Sequence, residues 1–335
     1  RVNEGKIHQG FIYAKDDPEH TARLMAHGAL RFESHLSRWI DTSTAIRIST
    51  PFVYGVHVDS MLSPAQVEQH FAACCRIFGE VQQATGQSYL GSREPIGFRR
   101  LSDAETADIV DPASFVAAYQ TTELSVDPRH IGEHLGAALL TAPRTTVSFS
   151  VTVTGVTRRS DGKYMVHYTD GQAQSAGPYD HVVNATWSDR LAIDQASGKP
   201  RPDRPWSFRH KFGSRVKLKL APGDLPSITA VLGPFGDLVN LGDNGLFLSW
   251  YPTGMVAMTG ELAPPADWRD LTREERLRVF HESRRQWETL CPGLGRLEFE
   301  DESVDPVSGV IFAWGDTDID DAESGLHSRF AVGVT

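Results

Sequence analysis

The segment Asp180–Ser188 is an apolar stretch that ends abruptly in small and polar residues. It follows two strand-like stretches, Thr146–Thr157 and Lys163–Thr169, and its pattern predicts a third strand. In open α/β sheets, ligands lie beyond the carboxyl ends of the strands, and Asn184-Ala185-Thr186 are small enough for a close approach. The segment is therefore either a strand that leads into a ligand site or an ordinary buried strand that runs into a loop.

A helix and a hairpin are predicted before this strand. Asp127-Pro128 is a typical helix start, with Asp as the N-cap and Pro in the first turn, and apolar residues follow at helical spacing. Ser160–Lys163 has the composition of a hairpin turn. The predicted order is thus helix, hairpin and then the strand Val182–Thr186.

Two further segments, one near each end of the chain, contain glycines beside apolar residues. They are Asn3–Gly10, with the sequence NEGKIHQG, and Gly309–Asp316, with the sequence GVIFAWGD. Together with the helix, hairpin and strand, and in the same order, they resemble segments of the flavin-dependent amine and amino-acid oxidoreductases of the D-amino-acid oxidase superfamily. The order of the segments, which extends over nearly the whole chain, carries this resemblance.

The resemblance implies an α/β fold, α+β overall, with two interleaved domains. An incomplete FAD-binding, Rossmann-like domain is expected to comprise residues 1–45, 121–190 and 306–335. A substrate domain built on an antiparallel sheet is expected to comprise residues 46–120 and 191–305. Five strand-like stretches between Ser214 and Gly260 agree with such a sheet, and capping boxes at Ser63 and Thr272 predict long helices.

The resemblance also implies a set of residues that contact FAD. They come from the two glycine-containing segments, the hairpin and the end of the third strand: Asn3, Gly5, Ile7, His8, Gly10, Val153, Ala185, Thr186, Trp187, Gly315 and Asp316. Some flavin enzymes attach their cofactor through a histidine near the position of His8. For His8, the interpretations are non-covalent contact with the flavin, covalent attachment, or an exposed position in a loop.

The chain departs from the family in three places. No Gly-x-Gly-x-x-Gly turn occurs between Arg1 and Thr335, so the unit that normally faces the FAD pyrophosphate is expected to be missing. Trp187 stands where the family has a glycine. The chain ends at Val332–Thr335, within a strand-like stretch. The sequence is therefore expected to be a fragment of a longer protein and inactive as this truncated chain.

The predicted chemistry follows from what a flavin needs. The flavin performs hydride transfer, so the protein must orient the substrate, bind its polar groups and exclude water. The predicted substrate is a small amine, amino acid or hydroxy acid. Arg329 is the first candidate for binding a substrate carboxylate, because a guanidinium can bind it through two parallel hydrogen bonds; a surface arginine is the alternative. Tyr251, where a strand of the substrate sheet ends, is the second candidate, and a core aromatic residue is its alternative.

Composition argues against several other classes. The formal net charge of −10 and the lack of a basic tract argue against nucleic-acid binding. No apolar stretch approaches the roughly 20 residues that span a bilayer, and no signal peptide is visible, so a cytoplasmic location is expected. The three cysteines form no metal-binding pair, and no metal site is predicted. Asp316–Asp321 lacks the glycine of a calcium loop and is expected to be a solvated acidic loop. The alternative to an enzyme is a non-catalytic binding module, or a fragment unable to hold flavin.

Overall fold

Strands and helices alternate irregularly along the chain in the computed structural model, which describes residues 4–16, 20–269 and 272–328. The strands are β1 (Lys6–Ile7), β2 (Phe52–His57), β3 (Phe98–Arg100), β4 (Phe115–Thr121), β5 (Leu124–Ser125), β6 (Thr152–Arg158), β7 (Tyr164–Thr169), β8 (Ala173–Tyr179), β9 (Trp206–Lys217), β10 (Ser227–Val231), β11 (Gly236–Gly242), β12 (Gly245–Trp250), β13 (Met255–Thr259) and β14 (Asp305–Trp314). The α-helices are α1 (His20–Leu36), α2 (Thr42–Ala45), α3 (Pro64–Thr85), α4 (Asp103–Ile109), α5 (Pro128–Thr141), α6 (Arg190–Ala196), α7 (Tyr251–Gly254) and α8 (Arg273–Leu290).

One large sheet contains most of the strands, in the order β13-β9-β12-β11-β10-β2-β4-β3, and β14 also pairs with β9. The strands between residues 206 and 259 are antiparallel, as the sequence predicts. The exception in the large sheet is β10, which is parallel to β2 and thereby joins the later strands to the earlier ones. Since β14 pairs with β9 along its whole length, residues 306–314 lie in the sheet of the predicted substrate domain, and the division into two domains stays a prediction.

Alternate residues of β11 and β12 pack into two separate cores, one on each face of the sheet. Val239 and Phe247 belong to the core formed with α1 and α3. Leu238, Leu246 and Leu248 belong to the core formed with α8. The capping boxes predicted at Ser63 and Thr272 are present and begin α3 and α8. Two helical layers therefore cover the sheet from opposite sides.

A smaller antiparallel sheet contains β6, β7 and β8. The predicted hairpin turn connects β6 and β7, and Gly162 adopts a φ of +85° within it. Asp127 accepts hydrogen bonds from the first backbone N–H groups of α5, which confirms the predicted helix start. The local turn and capping residues thus fix this part of the chain as the sequence predicts.

The predicted strand Val182–Thr186 is wrong, because residues 180–186 form no strand. A strand needs a neighbour to hydrogen-bond with, and no strand of the described residues pairs with this stretch, in which Val183 is 85% exposed. The Asn184 side chain instead donates to the Arg190 carbonyl and the Asp194 carboxylate, at the start of α6. Trp187, at the position of the family's glycine, has a φ of +54°, in the left-handed region that favours glycine.

Candidate active-site cleft

A small cleft lies between the segment Glu4–Lys15 and the large sheet. Its other walls come from β9, β10 and β11, from the turn around Phe235 and from the loop that follows β14. The cavity volume is about 130 Å³. Apolar side chains, among them Ile12, Phe235 and Leu326, alternate with a few charged ones. A concave, largely apolar site with a small number of convergent polar groups is the usual form of a small-molecule site.

The segment from Glu4 to Gly10 is held in one conformation by backbone pairing. β1 pairs with β5, and Glu4, Lys6 and His8 point into the cleft at every second position. Gly5 has a φ of +70°, and a Cβ atom there would lie 2.0 Å from the carbonyl oxygen of Val126. The backbone can therefore take this path only with glycine at position 5.

Lys6 forms a buried ion pair across the cleft wall. Its ammonium donates to the Asp237 carboxylate at 2.7 Å and to the Thr229 hydroxyl at 2.6 Å. Burial disfavours the charged form of Lys6, but the charges of Asp237 and Glu123 outweigh it, and the pKa of Lys6 is raised. Burial also opposes ionisation of Asp237, yet the charges of Lys6 and Lys211 lower its pKa. Both groups of the pair therefore stay ionised, and Lys6 links the segment to β10 and β11.

Glu123 holds the segment from Glu4 to Gly10 from the protein interior. Its side chain is fully buried, and its carboxylate accepts hydrogen bonds from the backbone N–H of Gln9, at 2.6 Å, and from the Tyr54 hydroxyl. The buried Nδ1 of His8 lies 3.6 Å from the same carboxylate. Burial would raise the pKa of Glu123, but the contacts with His8, Lys6 and Tyr54 lower it. An ionised carboxylate thus orients His8 towards the cleft.

Two further buried side chains hold the backbone of this segment. The Tyr89 hydroxyl donates to the carbonyl of Ile7 at 2.9 Å, and Nε2 of His70 donates to the carbonyl of Gly10 at 3.0 Å. Cys74 lies beside His70, and burial raises the pKa of its thiol. The pKa of the neighbouring Cys75 is raised to about 11, also by burial. Raised pKa values of this kind are typical of buried thiols with a structural role.

Tyr251 lines the cleft at the end of β12, and its hydroxyl donates to the Asp318 carboxylate. Burial and this contact raise the pKa of Tyr251. Arg209, buried in β9, contacts the same carboxylate at 3.3 Å and donates to the carbonyl of Thr317. The acidic loop expected to be solvated is therefore tied to the sheet through Asp318.

The structure brings some of the predicted site residues together and leaves others apart. His8 and Tyr251 line the cleft, and Gly5, Ile7 and Gly10 belong to the segment that forms its wall. Residues that do not line the cleft are Val153, Ala185, Thr186, Trp187, Gly315 and Asp316. Trp187 instead donates from its indole to the carbonyl of Val310 at 2.6 Å, and Gly315 follows β14. Asn3 and Arg329 lie outside the described residues.

Sequence reasoning missed Lys6, Lys211 and Asp237 as cleft residues, and it missed Glu123, which holds the segment that forms one wall. Glu123 follows the alternating, largely apolar strand β4, and a carboxylate in such a stretch is a signal of a buried polar role. Asp237 lies within an otherwise apolar strand in the same way. Their partners are far away along the chain, and no local pattern identifies what each one binds.

Within the described ranges, no three His, Cys, Asp or Glu side chains cluster in a way that would hold a metal ion. None of the helices in this part of the chain is both long and apolar enough to cross a membrane.

The fold of the chain is similar to that of several oxidases of known structure. The chain matches no protein-family model and no curated protein sequence. Among solved structures it is similar to glycine oxidase from Geobacillus kaustophilus, with a TM-score of 0.62 and 13% identity over 92% of this chain and 71% of that chain. Iminodiacetate oxidase from Chelativorans sp. BNC1 gives 0.59 and 16% over 93% and 73%.

A third similar structure is L-α-glycerophosphate oxidase from Mycoplasma pneumoniae with FAD bound, with a TM-score of 0.55 and 14% identity over 92% of this chain and 72% of that chain. The chain therefore has the fold that these oxidases share, which confirms the fold that the sequence resemblance predicted.

Proposed function

We propose that the protein is an FAD-dependent oxidoreductase that oxidises a small amine, amino acid or hydroxy acid by hydride transfer to the flavin. The observation that carries this proposal is the cleft between the Glu4–Lys15 segment and the sheet, in a fold shared with oxidases of small acids. Its volume of about 130 Å³ is close to the ~150 Å³ cavity that holds a benzene molecule. The cleft thus suits a substrate of a few heavy atoms.

The described residues suit one wall of a flavin site and not the whole of it. The cleft is too small for an entire FAD molecule, and the sequence contains no Gly-x-Gly-x-x-Gly turn to bind the pyrophosphate. We therefore place the binding of the FAD pyrophosphate outside these 335 residues, and we expect the isolated chain to be inactive. When bound, the flavin ring would accept the hydride from the substrate carbon.

The residues of the chain would bind, orient and shield the reacting groups. In this proposal His8, held by Glu123, contacts the flavin or attaches to it, and Gly5, Ile7 and Gly10 let the backbone run beside it. Tyr251 lies on the substrate side. Further flavin contacts proposed from the resemblance are Asn3, Val153, Ala185, Thr186, Trp187, Gly315 and Asp316. Arg329 is the proposed anchor of a substrate carboxylate, and Arg329→Ala in the complete protein should raise KM while leaving flavin bound.

A second candidate function is a binding module that never holds flavin. The observation in its favour is the absence of the glycine-rich turn, while the cleft and its buried ion pair are fully formed. The two candidates differ in one measurable property, which is flavin content.

The test is an absorbance spectrum of the protein encoded by the complete reading frame, before and after acid precipitation. The proposal predicts a flavin spectrum, or its appearance when FAD is added. Colour that stays with the pellet in the wild type and moves to the supernatant in His8→Ala would establish covalent attachment at His8. His281→Ala, at an exposed position on α8, is the matched control. A colourless protein that takes up no FAD would exclude the oxidoreductase and leave the binding module.

A further inference from the structure

Two arginines lie at the ring of Trp314, the last residue of β14. Arg190 is the first residue of α6, and Arg204 lies in the proline-rich segment that precedes β9. The Cζ atom of Arg204 is 3.8 Å from the centre of the Trp314 ring. The Cζ atom of Arg190 is 5.7 Å from the centre of the same ring and 3.9 Å from that of Phe312. None of these residues lines the cleft described above.

Local contacts fix the positions of both arginines. The Asn184 side chain donates to the carbonyl of Arg190 at 3.0 Å, at the start of α6. The backbone N–H of Gly315 donates to the carbonyl of Pro205 at 2.9 Å, which holds the neighbouring Arg204 beside the end of β14. The faces of the aromatic rings attract both guanidinium groups. The two cations are therefore ordered in advance, which reduces the entropy lost when a ligand binds.

The positive charges of the two arginines are not balanced by a contacting carboxylate. Among residues 4–16, 20–269 and 272–328, no carboxylate oxygen lies within 4 Å of either guanidinium. Burial lowers the pKa of Arg190, the charge of Asp194 raises it, and the charge of Arg204 lowers it again. The Asp194 carboxylate is itself bound by Asn184 at 2.9 Å and by Lys199 at 3.5 Å. An anion at this position would therefore relieve the repulsion between two nearby cations.

The same place has a shortage of hydrogen-bond acceptors. Nε and Nη2 of Arg190 and the indole Nε1 of Trp314 are buried, and no acceptor in the described part of the chain bonds to them. Buried donors in folded proteins are nearly always paired, so three unpaired ones at one place need an explanation. Nη1 of Arg190 is not buried and has no protein partner either, and the Arg204 side chain is exposed. A ligand from solvent can therefore reach the two cations.

We infer that Arg190, Arg204 and the indole N–H of Trp314 form a binding site for a phosphate group, carried by inorganic phosphate or by a small phosphate monoester. A phosphate with two negative charges matches two cations, whereas a carboxylate leaves one of them unbalanced. The planar guanidinium fork also suits the oxygens of a phosphate. The inference goes beyond the proposed function, because this binding needs neither the cleft nor a flavin.

The test is isothermal titration calorimetry of the protein encoded by the complete reading frame. The probes are inorganic phosphate, methyl phosphate and acetate at equal ionic strength and about pH 8, where a phosphate group carries close to two charges. We expect a dissociation constant on the order of 1 mM or lower for inorganic phosphate and binding of acetate that is weaker by about tenfold or more. Equal binding of methyl phosphate assigns the site to a monoester, and much weaker binding assigns it to the free ion.

Two variants test the assigned residues. Arg190→Gln and Arg204→Gln should each weaken phosphate binding by about tenfold or more, because each removes a charge-assisted contact. The matched control is Arg278→Gln, since Arg278 is an exposed arginine of α8 that pairs with Glu282 at 3.2 Å, and it should leave binding unchanged. Circular dichroism establishes that each variant is folded. The exposed Arg204 keeps the test available if the Arg190 variant does not fold.

Three results would overturn the inference. They are no phosphate binding by the wild type, equal binding of acetate and phosphate, and unchanged phosphate binding in both arginine variants. Loss of bound flavin from both variants would also overturn it, because the phosphate would then belong to the cofactor. The flavin content of the wild type tests the proposed function separately, so a colourless protein that binds phosphate keeps this site and loses the oxidoreductase.

Discussion

Replacing Glu123 by Gln should destabilise the protein strongly, because the buried carboxylate accepts from two donors. Its partners are the backbone N–H of Gln9 and the hydroxyl of Tyr54. A hydrogen bond to a charged group contributes about 1.5–3 kcal/mol, and a buried donor left without an acceptor costs about 1–3 kcal/mol. The amide keeps one acceptor oxygen and turns an N–H group towards the other donor. The expected loss of unfolding free energy is about 3–5 kcal/mol.

The loss is measured by urea unfolding, followed by circular dichroism and tryptophan fluorescence, at neutral pH. The matched control is Glu298→Gln, whose exposed carboxylate pairs with Lys219 at 3.1 Å and should change stability by less than about 1 kcal/mol. A double-mutant cycle with Tyr54→Phe should give a coupling energy above about 1 kcal/mol. If Glu123→Gln lost less than about 1 kcal/mol, the conclusion that this carboxylate fixes the segment around Gln9 would be refuted.

The pH dependence gives a second test of the same reasoning. The pKa of Glu123 is lowered in the folded protein from its ordinary value of 4.5, so the unfolded chain binds the proton more tightly. The stabilisation is therefore complete above about pH 4.5 and is lost as the pH falls through the lower, folded-state pKa. In Glu123→Gln this part of the acid destabilisation should be absent, so the stabilities of the two proteins should converge on acidification.

Three other predictions concern single positions. Gly5→Ala should lower the unfolding free energy by more than about 2 kcal/mol, because a Cβ atom would lie 2.0 Å from a backbone carbonyl oxygen. The control is Gly132→Ala in α5, where a Cβ atom meets no neighbouring atom within 4 Å, and it should be neutral or stabilising. Similar unfolding midpoints for the two variants would contradict this prediction. The pKa of Lys6 is raised above 10.5, so its pairing with Asp237 stabilises the protein below that pH and less as the pH rises through the folded-state pKa. Lys6→Met should therefore show a smaller loss of stability on alkaline titration than the wild type, and parallel curves would count against the pair. Val183→Ser should shift the unfolding free energy by less than about 0.5 kcal/mol, because Val183 is 85% exposed; a loss above about 1.5 kcal/mol would mean that this side chain is covered in solution.

Elements specified by neighbouring residues were predictable from the sequence. The capping boxes at Ser63 and Thr272 begin α3 and α8, and Asp127 caps α5, because a cap and its helix lie within four residues of each other. The hairpin at Ser160–Lys163 has the same local origin. The fold class was implied by the resemblance to a known family, which the order of these elements carries.

The strand Val182–Thr186 shows where a local pattern is insufficient. Its apolar residues suit a strand, but strand formation depends on hydrogen bonds to a neighbour. Among the described residues no neighbour pairs with it, and the Asn184 side chain instead donates to the carbonyl of Arg190, the first residue of α6. The choice between strand and turn was therefore made by what surrounds the segment, which its own residues do not specify.

The same distinction applies to the cleft. The sequence by itself determined the chain's helix starts, its hairpin turn, its fold class and the candidacy of His8 and Tyr251. Only the tertiary structure decided that Lys6 meets Asp237, 231 residues away, and that Glu123 meets the backbone of Gln9, 114 residues away. Contacts over such separations depend on how the sheet orders its strands, which no local pattern encodes.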